Sequence, residues 1–137
     1  MIEIRRVTPA TMDVLDNVAA EVFDGPVDPR RLAVYAGAAG HLMLVAMEGA
    51  LVVGQIAAVI HYHPDKPTEL YIDELGVSPG WQRQGLGRRL MEAMLELGRA
   101  AGCEEAWVGT EPDNVPARAL YDRRAEGVPF VMYVWDV

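Results

Sequence analysis

A strand-like segment runs into a glycine-spaced turn that opens a helix, and this junction constrains the fold more than any other feature. The sequence predicts a strand from Thr68 to Val77, a turn at Ser78-Pro79-Gly80 and a long helix from about Gly85 to Ala101. Gly85 and Gly87 let the backbone come close to a ligand, and the amino end of a helix favours anions such as pyrophosphate. The junction therefore predicts an anion site.

Strands and helices alternate along the rest of the chain. Alternating or β-rich runs predict strands, and helical spacing behind a Thr-Pro or Asp-Pro pair predicts helices. The remaining predicted strands cover residues 2–7, 41–47, 50–61, 106–109 and 128–135, and the remaining helices cover 8–22, 29–35 and 117–123. The order β-α-α-β-β-β-α-β-α-β predicts an α/β (α+β) fold, with a mixed, mostly antiparallel central sheet flanked by helices. No linker is visible, so residues 1–137 are expected to form a single domain.

Composition narrows the classes of partner. The chain has 20 acidic and 12 basic side chains, a formal charge of −8, which disfavours nucleic acid and favours a cationic partner. The apolar stretch from Leu42 to Met47, which no other apolar stretch exceeds, is far shorter than the roughly 18 residues of a membrane span. Residues 1–6 lack the features of a signal peptide. Cys103 is the only cysteine, which excludes an internal disulfide and fits a cytoplasmic location.

Two histidines at the end of a predicted strand have the spacing of metal ligands. His61 and His63, with Asp65, share one face of an extended chain. Histidines at a strand end are more common as loop residues, so no metal is expected.

The glycine-spaced junction resembles the acetyl-coenzyme A signature of the GNAT superfamily of N-acetyltransferases. The family pattern is Arg/Gln-x-x-Gly-x-Gly/Ala, and this chain has Gln82-x-x-Gly85-x-Gly87 between a strand and a helix. Asn114 to Tyr121 is similar to the family's Asn-x-x-Ala-x-x-Leu-Tyr element. A P-loop is excluded because no Gly-Lys-Ser/Thr follows, and a Rossmann fingerprint because its third glycine is missing. GNAT membership would make this chain an N-acetyltransferase of the predicted fold.

The resemblance implies which residues bind acetyl-CoA, the co-substrate. Backbone N–H groups of the strand end would hold the pantetheine arm and polarise the carbonyl, and the glycine turn would hold the pyrophosphate. Asn114 would bind the pantetheine amide or cap the following helix. The implied cofactor-binding residues are Leu75, Gly76, Val77, Gln82, Arg83, Gln84, Gly85, Leu86, Gly87, Arg88, Asn114 and Tyr121.

N-acetyl transfer requires a base and an acid. A lysine-like amine has a pKa of about 10.4 and must lose a proton before it attacks. Asp73 and Glu74 are the candidate bases, and in a regular strand only one of them faces the cleft. The family usually has a bulge here, which would bring both close; Glu74 is favoured by similarity to aminoglycoside enzymes. Tyr121 is the family's candidate acid for the departing thiolate.

Acidic residues at positions that flank the acceptor side in related folds are candidate substrate ligands: Glu21, Asp24, Asp28, Glu111 and Asp113. They favour a cationic small-molecule amine, and the chain most resembles aminoglycoside 3-N-acetyltransferases. The alternatives are a polyamine, an amino acid or a protein N-terminus as acceptor, or a non-catalytic acyl-CoA-binding module. After Tyr121 the sequence departs from the family, which weakens the resemblance at the substrate wall. The oligomeric state stays open, with a homodimer as one option.

Overall fold

One five-stranded sheet organises the computed structural model, which describes residues 1–137. The strands are β1 (Ile2–Arg6), β2 (His41–Glu48), β3 (Leu51–His61), β4 (Glu69–Val77) and β5 (Glu105–Val108). They lie in chain order across the sheet; the first four are mutually antiparallel, and β5 runs parallel to β4. The predicted mixed, mostly antiparallel α/β fold is confirmed.

Three helices and two short 3-10 turns accompany the sheet. The helices are α1 (Pro29–Gly37), α2 (Leu86–Ala100) and α3 (Val115–Tyr121), and the 3-10 turns cover Met12–Asp16 and Pro79–Trp81. Both α1 and α3 begin with the predicted cap and proline. None of these helices has both the length and the apolar composition needed to cross a membrane.

The sheet buries apolar side chains on both faces. On one face Leu90 and Met94 of α2 pack among strand residues that include Ile56, and all three side chains are fully buried. On the other face the chain between β1 and α1 covers Val45 and Val52. Full burial of one such side chain stabilises the fold by about 1.5–3 kcal/mol. These two layers fix β4, the strand that carries the candidate site.

The predicted first helix over 8–22 is wrong except at Met12–Asp16. Only Met12–Asp16 is helical, as a 3-10 turn, and the chain then extends along β3. The amide of Ala19 donates to the carbonyl of Val52 at 2.8 Å, and the amide of Val52 donates to the carbonyl of Asn17 at 2.9 Å. Pairing with a strand distant in sequence thus replaces the helix that the local spacing favours.

The predicted closing strand over 128–135 is also absent. The last ten residues form no strand, although their composition is β-rich. The side chain of Phe130 packs edge-on against Trp107 of β5, with ring centroids 6.3 Å apart. The backbone makes no ladder there, and Val131, Tyr133 and Trp135 are exposed. A β-rich segment becomes a strand only where another strand pairs with it.

Candidate active site

A fork between β4 and β5 is the central feature of the site. Strand β5 pairs with β4 only from Glu69 to Ile72, whereas β3 pairs with β4 as far as Val77. Residues 73–77 therefore keep one strand edge without a partner. Unpaired N–H and C=O groups along such an edge bind an extended chain by hydrogen bonds. The free edge includes Leu75, Gly76 and Val77, which the resemblance assigned to the pantetheine arm.

A β-bulge in β4 lies where the fork begins. Ala57 of β3 pairs with Glu74 and Ala58 pairs with Ile72, so Asp73 has no partner across the ladder. A bulge changes the direction of neighbouring side chains. Burial, followed by the charges of both Asp73 and Glu74, raises the pKa of Tyr35 on α1. The charges of both carboxylates therefore reach Tyr35, and the bulge is the one that the family resemblance implied.

The surroundings of Glu74 raise the pKa of its carboxyl. Partial burial raises the pKa of the Glu74 carboxyl above its usual range, and the charges of Asp24 and Asp73 raise it further. A hydrogen bond from the Gln55 side chain acts in the opposite direction on this pKa. A carboxylate with a raised pKa binds a proton more readily, which suits a general base. Asp73 is the more exposed of the two acids.

Asp24 and Glu21 lie on a concave surface. They line a cavity of about 540 Å³ formed by the loop that precedes α1. Gln55, which is fully buried, donates through Nε2 to the carbonyl of Val22 at 3.3 Å and ties this loop to β3. Of the five predicted acceptor ligands, Asp24 is the one whose charge acts on Glu74.

The other three predicted acceptor ligands lie elsewhere. The Asp28 carboxylate caps α1, accepting from the amides of Arg30 at 2.8 Å and Arg31 at 3.4 Å. Glu111 and Asp113 are exposed in the turn that precedes α3. The Asp-Pro pair predicted this cap; Oδ1 of Asp28 serves it, and the part of Asp28 in substrate binding stays a prediction.

The glycine turn has the geometry of an anion site. Gly85, with φ of 78°, is the residue before α2 and offers no capping side chain. The first N–H groups of α2 therefore have no partner within the helix. Gln82 donates through Nε2 to the carbonyl of Val77 at 2.9 Å, which fixes the turn against β4. Around this turn, Arg83, Gln84 and Arg88 are exposed, Leu86 is buried in the core, and Gly87 approaches Leu120 of α3.

Helix α3 brings Tyr121 to the sheet on the side of β5. Asn114 caps this helix through Oδ1, accepting from the amide of Ala117 at 3.2 Å, so the cap is the role the structure shows. Tyr121 is half-buried and lines a cavity of about 480 Å³ with Ile72 and Val108. Burial raises the pKa of the Tyr121 phenol, which keeps its proton available for donation.

Sequence reasoning missed two side chains of the site, Tyr35 and Gln55. Tyr35 donates to the carbonyl of Leu42 at 3.1 Å and faces the charges of Asp73 and Glu74. Gln55 sits in an otherwise apolar strand. A polar residue in a buried strand is the one pattern that pointed to Gln55. Cys103 packs beside the core, and burial raises the pKa of its thiol, which makes it a poor nucleophile.

The chain belongs to the acetyltransferase (GNAT) family, whose model matches residues 12–125. GNAT acetyltransferases use acetyl-CoA, and the resemblance at the glycine turn is thereby confirmed at family level. Mycothiol acetyltransferase of Beutenbergia cavernae is 45% identical over 60 residues, which are 43% of this chain and 20% of that protein. The ribosomal protein bS18 alanine N-acetyltransferase of Escherichia coli K12 is 35% identical over 60 residues, 40% of each chain. The chain thus matches less than half the length of these curated relatives.

Solved structures share the fold across the whole chain. An aminoglycoside acetyltransferase from an uncultured soil metagenomic sample superposes with a TM-score of 0.82 at 20% identity, covering 98% of this chain and 97% of that one. The aminoglycoside acetyltransferase AAC(6′)-Iy, in complex with a CoA bisubstrate analogue, gives 0.81 at 19% identity, covering 100% and 99%. The latter bears the 6′ designation and not the 3-N designation of the enzymes that the sequence resembled.

Proposed function

We propose that this chain is an N-acetyltransferase that moves the acetyl group of acetyl-CoA to a primary amine of a cationic small molecule. The observation that carries the proposal is the free edge of β4 at residues 73–77, which runs directly past Glu74. One strand thus presents both a binding edge and a base.

The residues of the fork fit acetyl-CoA. The pantetheine arm is an extended chain with two amides, which suits the unpaired edge at Leu75 to Val77. The pyrophosphate suits the free N–H groups at the start of α2, where Gly85 leaves the backbone open. Arg83 and Arg88 are exposed on the same turn and add positive charge.

The chemistry follows from groups on both sides of the fork. Glu74 takes the proton of the amine directly or through water, and the nitrogen then forms a bond to the acetyl carbonyl carbon. Backbone N–H groups of Leu75 to Val77 stabilise the negative charge that develops on the carbonyl oxygen. The nitrogen releases its surplus proton to water, the carbon–sulfur bond breaks, and the sulfur, which leaves with the electron pair, takes a proton from Tyr121. Water then returns a proton to the Tyr121 phenolate. Transfer is direct in a ternary complex, because Cys103 follows the end of α2, away from the glycine turn at the start of that helix.

The acceptor is proposed to be a cation, with an aminoglycoside as the first candidate. Asp24, Asp73 and Glu74 place three acidic groups near one another, which attracts a substrate with several ammonium groups. The similar folds of two aminoglycoside acetyltransferases support this choice. A polyamine, an amino acid or a protein N-terminus satisfies the same acid–base scheme. The name of the E. coli relative, an alanine N-acetyltransferase of a ribosomal protein, makes a protein N-terminus the second candidate.

A homodimer in the cytoplasm is part of the proposal. The apolar side chains of residues 128–137 are exposed, and β5 is the last strand of the sheet with one edge open. Large exposed apolar patches mark sites of association. A second copy of this chain would cover the exposed apolar side chains of residues 128–137. Light scattering that gives twice the mass of one chain supports the dimer; the mass of one chain contradicts it.

A thiol-release assay tests the function. The chain is incubated with acetyl-CoA and, in turn, an aminoglycoside, a polyamine, a free amino acid and a peptide with an N-terminal alanine. We expect CoA release with a cationic small molecule, and a KM for the acceptor that rises with salt while kcat changes little, since salt screens exposed charges. Release with a neutral amine alone would contradict the cationic acceptor. Binding of acetyl-CoA without release for any amine would support a non-catalytic acyl-CoA-binding module instead.

A further inference from the structure

Three metal-ligating side chains converge at the end of the sheet away from the glycine turn. His61 ends β3, Glu69 begins β4, and the two residues are direct partners across the ladder. His63 lies two residues beyond His61, in the loop between these strands. The ladder holds His61 and Glu69 opposite each other, and the loop folds His63 back over the same carboxylate.

Both histidines approach one oxygen of Glu69. Nε2 of His63 lies 3.0 Å from Oε2 of Glu69, and Nδ1 of His61 lies 3.7 Å from the same atom. The three ligand atoms all lie within 4.8 Å of one another, and the imidazole centroids are 4.1 Å apart. Ligands of a tetrahedral zinc ion, bound at about 2.0–2.1 Å, are themselves roughly 3.3 Å apart. The two distances to Oε2 of Glu69, 3.0 Å and 3.7 Å, lie on either side of that ligand–ligand spacing. Small side-chain rotations would therefore bring these atoms to the distances that a metal needs.

We propose that His61, His63 and Glu69 bind one zinc ion. Two imidazoles and a carboxylate form a donor set that suits Zn²⁺, and they leave room for water in the fourth position. From the sequence we grouped Asp65 with the two histidines and expected no metal; the fold brings Glu69 to them instead.

The surroundings of the three ligands are open and of mixed charge. Glu105 of β5 is the ladder partner of Glu69 and lines the same cavity, which adds a second carboxylate beside the ion. Lys66 lines this cavity as well and weakens the attraction for a cation. The site lies five residues along β4 from Glu74, a separation of roughly 15 Å. Bound zinc therefore joins β3, the loop and β4 without touching the acetyl-transfer groups.

Metal binding is measured by calorimetry with Zn²⁺ on untagged chain that has first been treated with a chelator. We expect one ion per chain and a rise in Tm of roughly 5–10 °C at a free zinc concentration of 100 times Kd. Co²⁺ in place of zinc reports the geometry through its visible absorption, which is intense for a tetrahedral site.

The double variant His61→Ala/His63→Ala removes two ligands. Zinc affinity should fall at least about 100-fold, the upper range for loss of an outer-shell partner. His41→Ala removes the remaining histidine, which lies at the start of β2, and should leave affinity unchanged. The Tm measured in excess chelator shows whether the double variant is folded. The variant Glu69→Gln, which keeps the imidazoles of His61 and His63, repeats the measurement of zinc affinity. Equal zinc affinity in wild type and the double variant would overturn the proposal, as would wild-type binding no tighter than millimolar.

Discussion

A Cβ atom on Gly76 would overlap the carbonyl oxygen of Val22, so only glycine fits at this position of β4. The backbone of the loop that carries Glu21 and Asp24 therefore packs directly on the strand that carries Glu74. This contact sets the distance between the acidic loop and the base.

Gly76→Ala should push this loop away from β4. We expect a loss of stability of about 3 kcal/mol, the upper range for overpacking, because the atom that must move is backbone. The kcat/KM for acetyl transfer should fall as well. Gly37→Ala at the end of α1, where a Cβ meets nothing within 4 Å, is the control and should change neither property. Thermal unfolding that is the same for both variants would contradict the close packing.

Gly85→Ala should weaken acetyl-CoA binding. Gly85 has φ of 78° at the start of α2, and Gly102 has φ of 92° after the end of the same helix. Alanine at either position should cost about 1 kcal/mol of stability, because positive φ is unfavourable for a residue with a Cβ. Only Gly85→Ala should raise the Kd for acetyl-CoA in calorimetry. If Gly102→Ala raised it equally, the effect would be one of stability alone.

The sequence was informative where structure is local. The strand, the glycine turn and α2 were predicted to within two residues at each end, since capping and periodicity operate over a few neighbours. The pairing of Ala19 with Val52 and the contact of Val22 with Gly76 join segments far apart in sequence, and no local pattern encodes them. The cap of α1 by Asp28 is local, in contrast, and the Asp-Pro pair predicted it.

Asp24→Asn should shift the pH dependence of acetyl transfer. The negative charge of Asp24 raises the pKa of Glu74, so its removal lowers that pKa and moves the acidic limb of kcat/KM to lower pH. Asp73→Asn should shift the limb in the same direction by less, because Asp73 contributes less to the pKa of Glu74. Glu3→Gln on β1 is the control. If Asp24→Asn left the acidic limb of kcat/KM at the same pH, the pKa of Glu74 would not determine that limb.

Tyr121→Phe should lower kcat by about 10²- to 10⁴-fold, the range for loss of a general acid, and should change the Kd for acetyl-CoA far less. The ring still fills its half-buried position, so the variant should unfold near the wild-type Tm. Tyr133→Phe, in the exposed C-terminal segment, is the matched control. If Tyr121→Phe turned over normally at every pH, water or another group would have to donate the proton to the leaving thiolate.

Glu74→Gln tests the central claim, that Glu74 is the base of an acetyltransferase. Burial raises the pKa of Glu74 in the folded state, so ionisation of Glu74 lowers the stability of the fold. This loss of stability is absent below the pKa that Glu74 has in the unfolded chain. It is complete above the pKa that Glu74 has in the folded chain. At neutral pH, Glu74→Gln should therefore unfold at a higher Tm than wild type. Amine-dependent release of CoA by the same sample should fall about 10²- to 10⁴-fold, with acetyl-CoA still bound. A folded Glu74→Gln variant that releases CoA at the wild-type rate would contradict the account.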